Sequence, residues 1–154
     1  MNVVISSSRG EGLEEFLPAN TTVDFTKGGK LEDLTKTAKK HVPPPYGLSK
    51  KRTHLYFVCG IPDISTLAKD KITRYRECIY PDDPNETADN FLNKLNESSK
   101  TTLRCGALPI FANIPQFDLS TYNSHQRTSH RKFTQNYHEM QTNLEQAIDK
   151  CNDH

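Results

Sequence analysis

Apolar residues come along this chain in two alternating rhythms. Val3-Val4-Ile5 is a continuous β-branched run that breaks into Ser6-Ser7-Ser8-Arg9-Gly10, and Tyr56-Phe57-Val58-Cys59 breaks the same way into Gly60-Ile61-Pro62-Asp63. Short apolar runs bounded by polar, glycine-containing turns read as buried strands. Between them the period changes. Leu13, Phe16 and Leu17 share one face of a short helix predicted over 10–17 and ended by Pro18. Thr21 to Thr26 alternates Val23 and Phe25 with polar neighbours and closes at Gly28-Gly29, which reads as a second strand and a turn. Leu31, Leu34 and Ala38 then recur at helical spacing, with Glu32 and Asp33 in the first turn and Lys36, Lys39 and Lys40 toward the end, the charge order a helix dipole favours. That helix stops before Pro43-Pro44-Pro45, and a basic loop leads to a third strand over 54–59.

The second half is less regular. From Ser65 to Tyr80, Leu67, Ile72, Tyr75 and Ile79 are only partly helical in spacing, and no element is assigned there. Asp83-Pro84-Asn85-Glu86 is a helix start, with Asp to cap, Pro at the first helical position and Glu three residues after the Asp. Ala88, Phe91, Leu92 and Leu95 give that helix its apolar face, and Leu103 to Ile114 follows as a fourth strand running into a loop at Pro115. From Ser129 onward, Phe133, Tyr137, Met140, Leu144, Ile148 and Cys151 fall at intervals of three and four, the strongest helix signal in the chain. Strands alternating with helices predict an α/β fold: a parallel sheet of four or five strands in a three-layer sandwich, one domain over 1–154.

Composition narrows the function classes. The 154 residues are 34% hydrophobic and 25% charged, and 20 basic against 19 acidic side chains leave a net charge of +1. No global field therefore recruits nucleic acid or an anionic membrane, and such binding would have to be local. The basic stretches that could supply it are Lys39-Lys40-His41, Lys50-Lys51-Arg52 and 125–132 with Arg127, His130, Arg131 and Lys132; runs of this length are ordinarily solvated faces. No apolar run is long enough to span a membrane, and the first residues lack a signal-peptide pattern. Cys59, Cys78, Cys105 and Cys151 match no zinc or redox spacing, so reduced thiols and an intracellular location are expected. No ligand spacing or dinucleotide fingerprint implies a cofactor or a metal.

In an open parallel sheet, ligands gather outside the carboxyl ends of the strands. Three loops would meet there, carrying Ser8, Gly28 with Gly29, and Gly60 to Asp63. A serine at a strand-to-helix turn can act as a nucleophile when a base takes its proton, and backbone amides at glycine turns can hold the oxyanion that results. Arg9, Lys30 and the helix N-termini would also make the crevice friendly to a phosphate or carboxylate.

A hydrophobic strand into Ser-Arg-Gly, a Gly-Gly-Lys-Leu-Glu-Asp-Leu turn after the second strand and a Gly-x-x-Asp-Ile turn after the third resemble the first three blocks of the SGNH, or GDSL-type, hydrolases. These are flavodoxin-like α/β esterases and acyl hydrolases that work without a metal. The resemblance covers residues 2–114 in order and spacing. It implies Ser8 as nucleophile and oxyanion donor and Gly28 as the second donor, with Arg9, Gly29, Lys30, Gly60, Pro62 and Asp63 around a small acyl or anionic ligand. A similarity to SGNH-like domains of eukaryotic mobile elements and viruses accompanies it.

The departures are specific. The family's Gly-Asp-Ser is Ser6-Ser7-Ser8 here, and its Gly-x-Asn-Asp is Gly60-Ile61-Pro62-Asp63. Proline offers neither the side-chain amide of the third oxyanion donor nor a backbone N–H. The family's closing Asp-x-x-His is not found: no Asp is followed by His three positions later, and His125, His130, His138 and His154 read as surface residues. The chain stops about where the family continues to a final strand. The expectation is a catalytically incomplete SGNH-like binding or interaction module, with an active serine esterase using Ser8 as the alternative and a nucleic-acid-binding accessory domain as the third reading.

Overall fold

The computed structural model describes residues 1–7, 13–42, 52–69, 76–79, 83–121 and 137–153. They contain β1 (Asn2–Ser6), a 3-10 turn (Leu13–Phe16), β2 (Thr21–Phe25), α1 (Leu31–Lys39), β3 (Thr53–Val58), the single turn α2 (Ile61–Ile64), β4 (Thr66–Lys69), β5 (Arg76–Ile79), α3 (Pro84–Arg104), β6 (Ala107–Phe111) and α4 (Tyr137–Asn152). The fold is of the three-layer α/β class, built on a four-stranded parallel sheet in the order β2-β1-β3-β6.

Two compact units divide the chain, Met1–Asp63 with Leu92–Asn113, and Ile64–Phe91 with Ile114–His154. The first holds the parallel sheet. β1 lies inside it, paired on both sides, and Val3, Val4, Ile5 and Ser6 are all buried, which explains its unbroken apolar run. β3 alternates, with Thr53, Leu55 and Phe57 buried and His54, Tyr56 and Val58 half-buried. The edges suit their sequences. β2 carries Thr22 and Asp24, and β6 carries Pro109, which has no N–H for a further neighbour and belongs on an edge strand. Phe111 of β6 stacks on Phe57 with ring centroids 4.9 Å apart.

α1 buries Leu31, Leu34, Thr37 and Ala38, the stripe read from the sequence plus one threonine. Thr35 Oγ1 donates to the Leu31 carbonyl at 2.7 Å and lies 2.6 Å from Ser98 Oγ of α3, so a pair of hydroxyls joins the two helices. His41, just beyond α1, puts Nε2 2.9 Å from Asp24 Oδ2 of β2.

In the second unit β4 and β5 form an antiparallel hairpin where the sequence pattern assigned nothing. α3, whose first turns belong to this unit, begins as predicted: Asp83 Oδ1 accepts the amides of Asn85 at 2.8 Å and Glu86 at 3.0 Å. α4 buries Leu144, Ala147, Ile148 and Cys151. The segment from Ile114 to Leu119 is tied to it by two side-chain amides. Asn152 accepts from the Ile114 N–H at 2.8 Å and donates to the Ile114 carbonyl at 2.9 Å, while Gln141 accepts from Leu119 N–H at 2.9 Å and donates to Phe117 O at 3.2 Å. Each amide pairs with backbone as a neighbouring strand would.

Two sequence expectations change. The helix over 10–17 is a single 3-10 turn where it is described. Leu103 and Arg104, read as strand, end α3, and the chain turns at Gly106, whose N–H donates to the Leu103 carbonyl at 2.9 Å, before β6 begins. The final helix is described from Tyr137, and its predicted start at Ser129 lies outside the described residues.

Candidate functional site

β1, β2 and β3 end together. Ser6 is in register with Phe25 on one side and Val58 on the other, so the chain leaves all three strands at one edge. Beyond the ladders, Ser7 N–H donates to Val58 O at 3.2 Å and Thr26 N–H to Ser6 O at 2.9 Å, carrying the alignment into the turns. Ser8 and Arg9 lie outside the described residues. Gly28, Gly29, Lys30, Gly60, Pro62 and Asp63 are all described, and all belong to the first unit.

The two glycines after β2 are needed for different reasons. Gly28 has φ of +66°, a left-handed conformation that costs any other residue. At Gly29 a Cβ would sit 2.9 Å from the Thr26 Cβ and 3.0 Å from its carbonyl oxygen, so here the demand is space. Gly29 N–H closes the bend by donating to Thr26 O at 2.8 Å. The Gly28 amide, on an exposed residue, has no hydrogen-bond partner among the described residues.

The turn after β3 is tied to the turn after β2. Asp63 reaches from α2 to the start of α1, where its two carboxylate oxygens lie 3.0 and 3.2 Å from the Leu31 nitrogen and accept its N–H. The next orphan amide is capped from within the helix, Lys30 N–H donating to Asp33 Oδ2 at 3.3 Å, while Asp33 N–H donates back to Lys30 O at 2.9 Å. Two of the chain's own carboxylates therefore occupy the first turn of α1. The anion attraction expected from a free helix N-terminus is already spent on them.

Burial pushes the Asp63 carboxyl above its ordinary range; the Leu31 amide, Lys94 and Lys30 pull it back, and Glu32 adds to the rise. Nearby, burial and the Asp63 charge push the Cys59 thiol up to about 12. A thiol so placed stays protonated and is no nucleophile. Pro62 has no N–H, and the Asp63 N–H is committed to Gly60 O at 2.9 Å. Of the residues the sequence singled out here, Gly28 and Gly60 present backbone donors without a described partner, and of the two only Gly28 is exposed.

A separate groove of about 500 Å³ lies along the α1 and α3 pair, lined by Leu31, Thr35, Lys36, Asn93, Lys94 and Ser98 among others. None of the glycine-turn residues lines it. Among the described residues no group of three or more His, Cys, Asp or Glu could hold a metal, and no described helix is long and apolar enough to cross a membrane. The basic stretches do not come together within the described residues. Lys39 and Lys40 are exposed at the end of α1, His41 is paired with Asp24, and Lys50, Lys51 and 125–132 lie outside them.

Sequence reasoning found both glycine turns and missed the bond that joins them. Asp63 and Leu31 are separated by 32 positions, and no local pattern marks an aspartate as the cap of another element's helix. No protein-family model matches the chain, and no curated protein matches it.

Proposed function

We propose that this chain is an SGNH-hydrolase-like domain that keeps the scaffold of the family without its full catalytic set and serves as a binding or interaction module for a small acyl ligand. The observation that carries this reading is the common edge of β1, β2 and β3, where the turns holding Gly28 and Gly60 to Asp63 are tied by the bond from Leu31 to Asp63. That is the position at which a parallel sheet offers a site. Against turnover stands the donor count. Pro62 supplies nothing where the family has an asparagine, and loss of one oxyanion donor costs about a hundredfold to a thousandfold in turnover. The carboxylates at the start of α1 favour a neutral acyl group over a phosphate or carboxylate.

One observation favours the alternative, an active serine esterase. The Gly28 amide has no described partner, as a donor waiting for an oxyanion would. In that mechanism Ser8 Oγ attacks the ester carbonyl, a base takes its proton, Gly28 N–H and Ser8 N–H hold the oxyanion, and the alcohol leaves.

Intact-mass detection of a fluorophosphonate adduct, on the wild type and on Ser8→Ala in parallel, separates the two. The binding-module reading expects no adduct on either folded protein. A single adduct that disappears in Ser8→Ala overturns it and establishes an activated serine.

A further inference from the structure

The Asp63 carboxylate does something at this edge that no sheet bond does. β2 and β3 are not neighbours in the sheet, since β1 lies between them. The turns that follow them are nonetheless connected directly, from the Asp63 carboxylate to the Leu31 amide. Leu31 is the first residue of α1, and the bend at Gly28-Gly29 stands immediately before it. We propose that Asp63 is a positioning residue for the site, a latch that sets the direction of the Gly28 amide by fixing the start of α1 against the turn after β3.

The geometry gives the latch one degree of control. Both oxygens accept from a single N–H, so the Leu31 donor is held from two sides and a turn of the helix start lengthens at least one of the two contacts. The bend before it has little slack, because Gly29 N–H is bonded to Thr26 O and a Cβ at Gly29 would meet Thr26. Motion at Leu31 is thereby passed to Gly28, an exposed residue whose amide has no partner among the described residues. The groups facing the carboxylate are Lys30 and Glu32 from the start of α1, Lys94 from α3 and the Cys59 thiol at the end of β3. Protonation of Asp63 removes the charge from the cap, so the position of the bend follows the protonation state of a residue in the turn after β3.

The importance of Gly28 to a ligand rests on the SGNH-like reading, but the latch can be read without any ligand. Amide resonances of the folded wild type are followed by two-dimensional NMR over an acid titration, beside Asp63→Asn, Asp63→Ala and Asp33→Asn. In the wild type and in Asp33→Asn, Leu31, Gly28 and Gly29 are expected to shift together with one midpoint. In Asp63→Asn that shared titration is expected to vanish while the resonances stay near their neutral-pH positions, because the amide oxygen still accepts from Leu31. In Asp63→Ala the Gly28 and Gly29 resonances are expected to move at every pH and the Leu31 amide to exchange about tenfold faster, as when one N-cap is lost. The latch is overturned if Gly28 and Gly29 stay still while Leu31 titrates, or if the shared titration survives Asp63→Asn. Fluorophosphonate labelling of Ser8 would instead overturn the binding-module reading and leave the latch standing, so the two failures are distinct.

Discussion

Replacing Thr35 with valine tests how α1 and α3 are joined. Thr35 has one hydroxyl proton, and at 2.7 Å that proton goes to the Leu31 carbonyl. The 2.6 Å contact with Ser98 must then run the other way, with Ser98 donating to the Thr35 oxygen. Ser98 is 5% exposed and has no other acceptor among the described residues. Thr35→Val keeps the shape and the β-branch, and Leu31 O keeps its helical N–H, but the buried Ser98 proton loses its partner. An unsatisfied buried hydroxyl costs about 1–3 kcal/mol. Ser98→Ala removes donor and penalty together. It loses a net hydrogen bond of about 0.5–1.5 kcal/mol and regains about 0.5 kcal/mol of helix propensity, leaving a cost of about 0–1 kcal/mol. The double variant should therefore be more stable than Thr35→Val alone, by about 1 kcal/mol or more. Thermal melts followed by circular dichroism read this as a fall of roughly 3–9 °C for Thr35→Val and a partial recovery on adding Ser98→Ala. Additive effects, or a Ser98→Ala variant less stable than Thr35→Val, would refute the assigned direction of the bond.

Asp63 gives a pH dependence of definite sign. Its folded carboxyl binds its proton more tightly than an ordinary aspartate, so the stability this one group contributes is fully present below the ordinary value of 3.8 and is lost as pH rises from there through the raised value. Asp63→Asn should lose that decline, seen as urea midpoints of wild type and variant that diverge in the variant's favour with rising pH. Alkylation with iodoacetamide at pH 8, mapped by peptide mass, should modify exposed Cys105 and spare folded Cys59, whose thiol is pushed to about 12, and Cys151, pushed to about 11. Labelling of Cys59 at the rate of Cys105 would contradict its burial. Gly28→Ala should cost about 1–2 kcal/mol from backbone strain alone, and Gly29→Ala should also destabilise, by displacing Thr26. Urea denaturation of the two variants checks both, and a neutral Gly28→Ala would mean that the bend is not left-handed in solution.

The legible parts of the sequence are those in which one local rule was sufficient. Val3-Val4-Ile5 reads as a strand buried on both faces because its successive side chains, which point to opposite faces, are all buried, and the Gly28-Gly29 bend and the Asp83 cap are written in adjacent residues. The hairpin of β4 and β5 was not legible. Its strands are four residues each, too short to establish a period of two, and Leu67, Ile72, Tyr75 and Ile79 fall near helical intervals by coincidence. The end of α3 was misplaced because Leu103 adjoins the apolar run of β6, and only the turn at Gly106 separates them. At the site, each turn could be read singly. What joins them, a carboxylate reaching 32 positions back to a foreign helix, follows from the fold and not from spacing.

The register of the parallel sheet also bears on how the chain finds its fold. β3 meets β1 with His54 opposite Asn2, and β6 with Ala107 opposite Thr53, so both neighbours of that strand come from distant parts of the chain. Neither pairing can begin as a hairpin and zip outward; each requires a large loop to close before the first bond forms, an entropic cost met in advance of any gain. Refolding should accordingly be slow for a chain of this size, in milliseconds to seconds rather than microseconds. Until β3 arrives, one side of β1 is an open ladder of amides and carbonyls flanked by Val3, Val4 and Ile5, and that interval is when a second chain could capture it.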